Sequence, residues 1–481
     1  MNDRTMKYSL AFASLFVPAL LNAQALDWSA PQDVAPENSG ALRPRVVLNA
    51  DGEAVVLWSR SSTLGCFAAV GSEAGFGPSV RLNPEQVDLA AADWQGPALA
   101  ASGSTVVAAF KALPEDAAPC YLVQSTDGGY TWGDTLRVDP FDGLVSRFPS
   151  VAVKADGSPV VEYMQFTSGY LEPRQVVRTW MGGSFMPPVP LSAPFAPGEV
   201  CDCCTGEVAA SDNGVVALYR NAGGNIRTIW GSSSANGGMD FPVGAEVDNT
   251  NWSLAACPSS GPDLYFAADS IRYVWMSGED NGTKVFLGSA QATTLALGPQ
   301  GNVHPAQPAS LQQNFPRIAG HGDTLGIVWE QLSAGQREIL FAYSTSGING
   351  LGAPDTVNIT LSGMQETPDI AYADGVFHIV WSEPSSGQVR YRRAELTDGT
   401  PFGEMQIPTM RVRFDPFDNA VVVTGIRPQR LRLWDMFGRM LLSSVGGSSR
   451  VMIGDFAPGC YVLEVLDDDG EAHTARFIKD H

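Results

Sequence analysis

Lysine and arginine are scarce in this chain, 30 residues against 51 aspartates and glutamates in 481, giving a formal charge of −21. Such a surface repels a phosphate backbone, so no nucleic-acid partner is expected. Histidine is scarcer still, five residues, too few for a multi-histidine catalytic centre. Beyond the first 25 residues no apolar run approaches the roughly 20 needed to span a bilayer, so no transmembrane segment is expected. The chain also lacks a Gly-x-Ser-x-Gly elbow, a His-Glu-x-x-His helix and a phosphate-binding glycine loop, and no cofactor is expected. Charged residues are only 17%, which excludes coiled coils and long solvated helices. Glycine and proline are plentiful, 50 and 33, and apolar residues make up 44%. A core made of many short elements separated by turns follows.

The N-terminus reads as an export signal. Arg4 and Lys7 precede the apolar run Leu10 to Leu21, and the small-residue pattern Ala23-Gln24-Ala25 places cleavage after Ala25. The run is too short to span a bilayer and contains Pro18, so it is expected to be removed rather than to anchor. A secreted or cell-surface protein in a disulfide-permissive compartment is the expectation.

The body repeats. Short β-branched strands end at Trp58, Phe110, Tyr163, Tyr219, Trp275, Trp329 and Trp381, at intervals of 52, 53, 56, 56, 54 and 52. A strand and a tight turn precede each, as in Val46 to Gly52, and two more candidate strands follow, such as Tyr121 to Gln124 and Thr135 to Val138. Four strands at a fixed period predict a β-propeller of seven blades. The stretch Trp28 to Val34 reads as an outermost strand that pairs with the last blade and so removes an exposed edge.

One loop, Ser125-Thr126-Asp127-Gly128-Gly129-Tyr130-Thr131-Trp132, has the form Ser-x-Asp-x-Gly-x-Thr-Trp and resembles the Asp-box (BNR-repeat) hairpin of sialidase-like propellers. The resemblance implies a structural role for Ser125, Asp127, Gly129 and Trp132. Ser234 to Phe241 looks like a degraded copy with Asn236 in place of the aspartate. Sialidase relatives are typically six-bladed, which is the alternative blade count. Residues 200 to 290 resemble a set of exported bacterial propellers through Cys201-Asp202-Cys203-Cys204, Tyr219-Arg220-Asn221 and Cys257-Pro258-Ser259-Ser260-Gly261-Pro262, departing from them at Ser259, where a histidine is usual.

From about Met410 the period stops. An Asp435-x-x-Gly438-Arg439 turn, a Pro458-Gly459-x-Tyr461 strand and a basic final strand, Thr474 to Lys479, resemble the C-terminal sorting domain of the type IX secretion system of Bacteroidetes. The expected organisation is a signal at 1–25, a propeller at 26–408 and a small sorting β-sandwich at 409–481. The resemblance implies the type IX machinery as a partner and delivery to the cell surface or the medium.

Seven cysteines leave one over. Cys460 is expected to be a buried thiol. Cys201, Cys203 and Cys204 enter the fourth repeat and Cys257 the fifth, so neighbouring blades bring them together. A bridge from Cys257 to one of the three is one reading, and a thiolate metal site is the other; the bridge is preferred because no histidine is nearby and no metal is expected. Cys66 and Cys120 hold equivalent places in adjacent repeats and are candidates to pair.

Loops that enter the first strand and leave the second emerge together near the axis. They carry Arg45, Arg60, Arg147, Arg220, Arg317, Glu330 and Glu383, the ligand-site candidates, with Arg43, Lys111, Glu279, Asp280 and Glu366 around them. Guanidinium groups facing carboxylates suit an anionic sugar. The expected function is glycan or protein binding at this face, the alternatives being a sialidase-type glycoside hydrolase and a structural or adhesive scaffold. The hydrolase signature is incomplete: Arg43-Pro44-Arg45-Val46 is a distorted form of the family's Arg-Ile-Pro stretch, no Tyr–Glu nucleophile pair is found, and Tyr163 and Tyr219 fall on core positions.

Overall fold

The computed structural model describes residues 25–397 and 411–479, apart from 36–38, 62–63, 73, 193–194, 197–198, 213, 280–281, 306–310, 334, 361–362, 416–418, 425–426, 437, 446–448 and 468–471. The expected signal, save Ala25, Asp280 and the boundary at 408/409 lie outside the described residues. Two compact units are present, residues 25–397 and one containing the residues from 398 onward. Among the described residues no helix is long and apolar enough to cross a membrane.

Residues 25–397 form seven antiparallel sheets of four or five short strands. Their first strands are Ala41–Leu48, Ala98–Ser102, Val145–Val153, Glu207–Ser211, Asp263–Ala267, Gln312–His321 and Glu366–Ala373. All seven line one central cavity, the layout of a β-propeller. Second strands are covered on both faces and read as continuous apolar runs, Ala54–Arg60 being one. The repeating aromatics Trp58, Phe110, Tyr163, Tyr219, Trp275, Trp329 and Trp381 are all buried there. Each ring removes about 150–250 Å² from water, contributing about 4–6 kcal/mol at about 25 cal/mol per Å².

A second recurrence fixes the outer strands. The buried residues Val34, Leu82, Val138, Leu191, Val247, Val303 and Val357 each donate a backbone N–H to the third strand of their sheet. The next residue is often a short polar one that takes the third strand's N–H in return: Asn83 from Cys66, Asp139 from Cys120, Ser192 from Gln175, Asp248 from Ile229 and Asn358 from Ile339. Fourth strands of only two residues, such as Val80–Arg81 and Asp355–Thr356, are thus held by a side chain where the ladder runs out.

The seventh sheet is completed by the start of the unit. Ala25–Trp28 pairs antiparallel with Gln388–Thr397, Trp28 opposite Ala394, and Gln32–Asp33 pairs further along the same strand. The closing strand expected at Trp28 to Val34 therefore begins earlier and is interrupted at Ser29 to Pro31.

The C-terminal unit has a three-stranded sheet, Arg411–Asp415, Ala420–Thr424 and Arg450–Met452, and a four-stranded one, Met440–Val445, Pro428–Asp435, Gly459–Asp467 and Ala472–Lys479. Val421, Val423, Leu431, Leu433, Leu463, Val465 and Phe477 make its core. Alternation along Gly459–Asp467 gives Tyr461, Leu463 and Val465 to that core, so Cys460 is half-buried outside it rather than buried. In the Asp435 turn, Arg439 donates from both its backbone N and its Nε to the Asp435 carboxylate. Lys479 is buried with its ammonium donating to the carbonyls of Ile453, Gly454 and Phe456.

Candidate functional site

Six of the seven first strands carry a proline in or just before their opening residues, Pro44, Pro97, Pro149, Pro262, Pro316 and Pro368, and four of these entries carry a register shift. Arg43, Phe148, Phe315 and Thr367, the residues before four of these prolines, have φ of 54°, 53°, 47° and 49°. The bulge re-aims the chain. In the fourth sheet the position is Gly206, and a Cβ there would lie 2.2 Å from Glu162 Oε1, so a larger residue would have to displace the buried carboxyl of Glu162. Neither Glu162 oxygen has a hydrogen-bond partner among the described residues, and burial, with Glu207 nearby, pushes this acid well above the carboxylate range.

The residues that follow the proline or Gly206 are Arg45, Ala98, Ser150, Glu207, Asp263, Arg317 and Asp369, one per sheet. Three of them accept a backbone N–H from the neighbouring sheet: Ser150 from Val208 at 3.1 Å, Asp263 from Ile318 at 2.7 Å and Asp369 from Val46 at 2.9 Å. Arg317 has no acceptor to offer. It reaches instead to Asp369 at 2.8 Å, Glu207 at 2.7 Å and Asp263 at 3.4 Å. Burial opposes its charge, but Asp263, Glu207 and Asp369 hold its guanidinium well above the usual range. Arg45 is also buried and donates to its own Pro44 carbonyl, while burial and the repulsion of Arg317 push it down.

This ionic cluster divides the axis. At the axis on the strand-entry side, clefts of about 20 Å³ are bordered by Arg43, Arg45 and Arg317; away from the axis, cavities of about 210 Å³ beside Trp381, Glu383 and Arg390 and of about 340 Å³ beside Tyr170, Glu199 and Asn225 open among the strand-entry loops. Towards the hairpin turns lies a cavity of about 540 Å³, with Arg317, Glu207, Asp263 and Asp369 in its wall and Asn49, Tyr265, Phe266 and Tyr372 further along the strands. The open axial volume is thus at the other end from the face expected to bind ligand.

The remaining candidates do not converge. Arg60 lies over the Phe67 ring at 4.1 Å. Arg147 pairs with Glu115 at 2.6 Å and packs on Phe148. Glu383 binds Arg390 at 2.9 Å; against the effect of burial, hydrogen bonds from Ser386, Gln365 and Arg390 hold it below the usual carboxylate value. Glu330 is buried, accepts the Thr367 N–H at 3.2 Å and lies 3.9 Å from Arg337, whose other carboxylate partner is Glu366 at 2.5 Å. Burial pushes Glu330 up to about 7. Arg317 stands among carboxylates contributed by the fourth, fifth and seventh sheets.

Arg220, expected at the axis, is buried elsewhere. Its guanidinium donates to the carbonyls of Ser260, Arg227 and Met276 at 3.1, 2.8 and 2.7 Å, tying together the loops that hold the cysteines. A disulfide joins Cys203 to Cys257 across neighbouring sheets. Cys201 and Cys204 are free and buried, with Sγ atoms 3.2 Å apart, and Cys201 Sγ is 3.5 Å from Cys203 Sγ. The donor atoms of Cys201, Asp202, Cys203 and Cys257 all lie within 4.8 Å of one another, but two of the sulfurs are already bonded together.

Cys66 and Cys120 are free thiols, which corrects their expected pairing. They face different cores: Cys66 packs with Leu57, Leu82 and Phe110, and Cys120 with Val107, Val138 and Tyr163. Burial raises both, Cys120 to about 12.

In the Ser125 hairpin, Asp127 accepts from Ser125 Oγ, Thr131 N and Thr131 Oγ1 at 2.8, 2.9 and 2.6 Å, while Gly129 N donates to Ser125 Oγ and Trp132 Nε1 to the Gly129 carbonyl. Its second copy repeats the scheme, with Asn236 accepting from Ser234 Oγ, Met239 N and Asp240 N. All of these bonds stay within the hairpins.

Neither a family model nor a curated protein sequence matches the chain. Among solved structures, a PL25 ulvan lyase bound to -[GlcA(1-4)Rha3S]- is 9% identical, covering 76% of this chain and 95% of its own, with a TM-score of 0.48. A protein of unknown function from Dyadobacter fermentans is 11% identical over 77% of this chain and 99% of its own, at 0.46. The Trypanosoma rangeli sialidase in complex with the inhibitor DANA is 12% identical over 91% and 84%, at 0.43. At these scores the likenesses bring neither an activity nor a ligand to this chain.

Proposed function

We propose that this chain is an exported, non-catalytic binding propeller that takes a short glycan into its axial cavity. The seven sheets act as one closed seven-bladed ring, a reading supported by the sevenfold run of buried aromatics and by the N-terminal strand in the last sheet. Residues 1–25 direct export, and the C-terminal sandwich hands the propeller to the type IX machinery, which delivers it to the cell surface or the medium. That route rests on the sequence resemblance carried by the Asp435–Arg439 turn, the Pro458–Tyr461 strand and the basic final strand.

One observation carries the binding reading. The arginine and carboxylates that a hydrolase would present to its substrate are paired with one another, while about 540 Å³ stays open beside Tyr265 and Tyr372. A site of that size with aromatic walls and a few fixed polar groups suits one or two sugar rings. A second reading, sialidase-type hydrolysis, keeps Glu330 as its candidate acid, since the carboxyl accepts the Thr367 N–H and burial pushes it up to about 7, but this residue stands outside the wall of the axial cavity.

A glycan array read alongside fluorogenic sialosides and related glycosides tests both. Binding without turnover, weakened at least tenfold by Tyr265→Ala or Tyr372→Ala, is expected. Turnover that Glu330→Gln abolishes would establish the hydrolase instead. Binding of a protein ligand alone, or of nothing, would leave the ring an adhesive partner or a scaffold.

A further inference from the structure

Four of the seven cysteines meet at one place where the loops entering the fourth and fifth sheets adjoin. Cys204 N donates to the Cys201 carbonyl, closing a tight turn that stacks the two thiols, and Cys201 N donates to the Arg220 carbonyl. The order of sulfurs is continuous: Cys204 to Cys201 at 3.2 Å, Cys201 to Cys203 at 3.5 Å, and Cys203 bonded to Cys257. Burial is graded along it. Cys201 and Cys204 are buried, Cys203 is half-buried and Cys257 is exposed.

We propose that these cysteines form a thiol–disulfide relay in which the bridge passes between Cys203–Cys257 and Cys201–Cys204, exposing a reactive dithiol when it moves inward. The Cys201 thiolate attacks Cys203 Sγ; the Cys201–Cys203 bond forms, the Cys203–Cys257 bond breaks, and Cys257 leaves as a thiolate on the solvent side. Cys204 gives up its proton, which ends on the departing sulfur, and attacks Cys201 Sγ. The Cys201–Cys204 bond forms as Cys203 leaves. Two thiols and one disulfide are present before and after, so no oxidant or reductant is consumed. The exposed pair can then reduce a disulfide of an external low-molecular-weight thiol by the same exchange.

The surroundings favour this direction of attack. Reacting atoms at about 3–3.5 Å are placed for a near-attack geometry. Cys204 donates its S–H to Cys201, and although burial opposes ionisation, Arg220 and Arg227 add positive charge, holding Cys201 at about 7; burial pushes Cys204 up, so it is the resolving thiol. Among the described residues neither Arg220 nor Arg227 is engaged in an ion pair, so their charge stays available to the sulfurs. Cys201–Cys204 also has the two-residue spacing that closes a compact ring, whereas the Cys203–Cys257 bridge spans 54 residues.

The test uses the full chain, oxidised, folded and treated with N-ethylmaleimide at pH 7.5, with the bridges mapped by mass spectrometry over time. The expected result is alkylation of Cys257 together with a new Cys201–Cys204 bridge. In Cys201→Ser the labelling of Cys257 should slow at least tenfold, and in Cys204→Ser Cys257 should label while Cys201–Cys203 accumulates. A Cys257 that stays unlabelled in the folded wild-type chain, or labels equally fast in Cys201→Ser, overturns the relay. Should Cys201→Ser not fold, the bridge position in labelled wild-type protein decides: Cys201–Cys204 upholds the relay, and any other arrangement overturns it.

Discussion

Arg317 Nη1 lies 2.7 Å from Glu207 Oε2, although the two residues are 110 positions apart and belong to non-adjacent sheets. The same guanidinium contacts Asp369 and Asp263, so one cation bridges carboxylates from three other first strands. It therefore works as a tie across the axis, and the loss of the guanidinium leaves like charges facing each other in the cavity wall. Arg317→Met should destabilise the propeller by about 3–5 kcal/mol, the usual cost of stranding buried charge. Chemical denaturation of the variant checks this. Adding Glu207→Gln should recover part of the loss, and full recovery or none would argue against direct coupling.

Glu330 gives the propeller a pH dependence of definite sign. Burial raises its carboxyl to about 7, with Arg337 and the Thr367 N–H opposing and Glu366 and Asp93 assisting. An unfolded glutamate titrates near 4.3. Between these values the folded state holds the proton that the unfolded chain has lost, so stability falls as pH rises from about 4 to 7, by up to about 1.4 kcal/mol per unit from this group. Glu330→Gln should remove that slope. The urea midpoint of the variant relative to wild type should therefore be higher at pH 8 than at pH 5; parallel pH curves would refute the assignment.

Much of this was open to reading because one physical constraint acts seven times. A second strand buried on both faces needs a large ring at its end, and Trp58 through Trp381 mark it at nearly constant spacing. The polar caps Asn83, Asp139, Asp248 and Asn358 recur as regularly after Leu or Val, and that pattern was missed because two-residue strands carry no alternation to draw the eye. Axial chemistry was harder. Whether Arg317 faces a ligand or three carboxylates depends on how the bulge at Phe315 turns the chain, which no local pattern states. Equivalent positions also misled at Cys66 and Cys120, where the same place in adjacent sheets means two different inter-sheet cores.

Closure by Ala25–Trp28 makes a further demand. Trp28 packs edge-on against Phe341 at 5.6 Å and lies under Arg392 at 4.6 Å, so the strand is held by side chains as well as by its ladder. A chain beginning at Ser39 would leave Gln388–Thr397 as an open edge. It should self-associate, as exposed edges do, and elute earlier than the longer chain in size-exclusion chromatography. A monomer of unchanged thermal stability would show that the seventh sheet stands without its closing strand.

The two hairpins at Asp127 and Asn236 supply an internal control on what the aspartate contributes. Thr131 and Ser125 hold Asp127 down to about 2, so it is ionised at neutral pH, yet Asn236 accepts the corresponding bonds without charge. If acceptance is what the turn requires, Asp127→Asn should keep the hairpin, while Asp127→Ala orphans the Thr131 N–H and loosens Trp132, which packs against the cluster of Val55, Val70 and Val106. The melting temperature should fall clearly more for Ala than for Asn, with no effect of either on ligand binding, because every bond that the Asp127 carboxylate accepts is spent within its own hairpin. Equal losses from both substitutions would mean that the charge, and not the acceptor geometry, holds the turn.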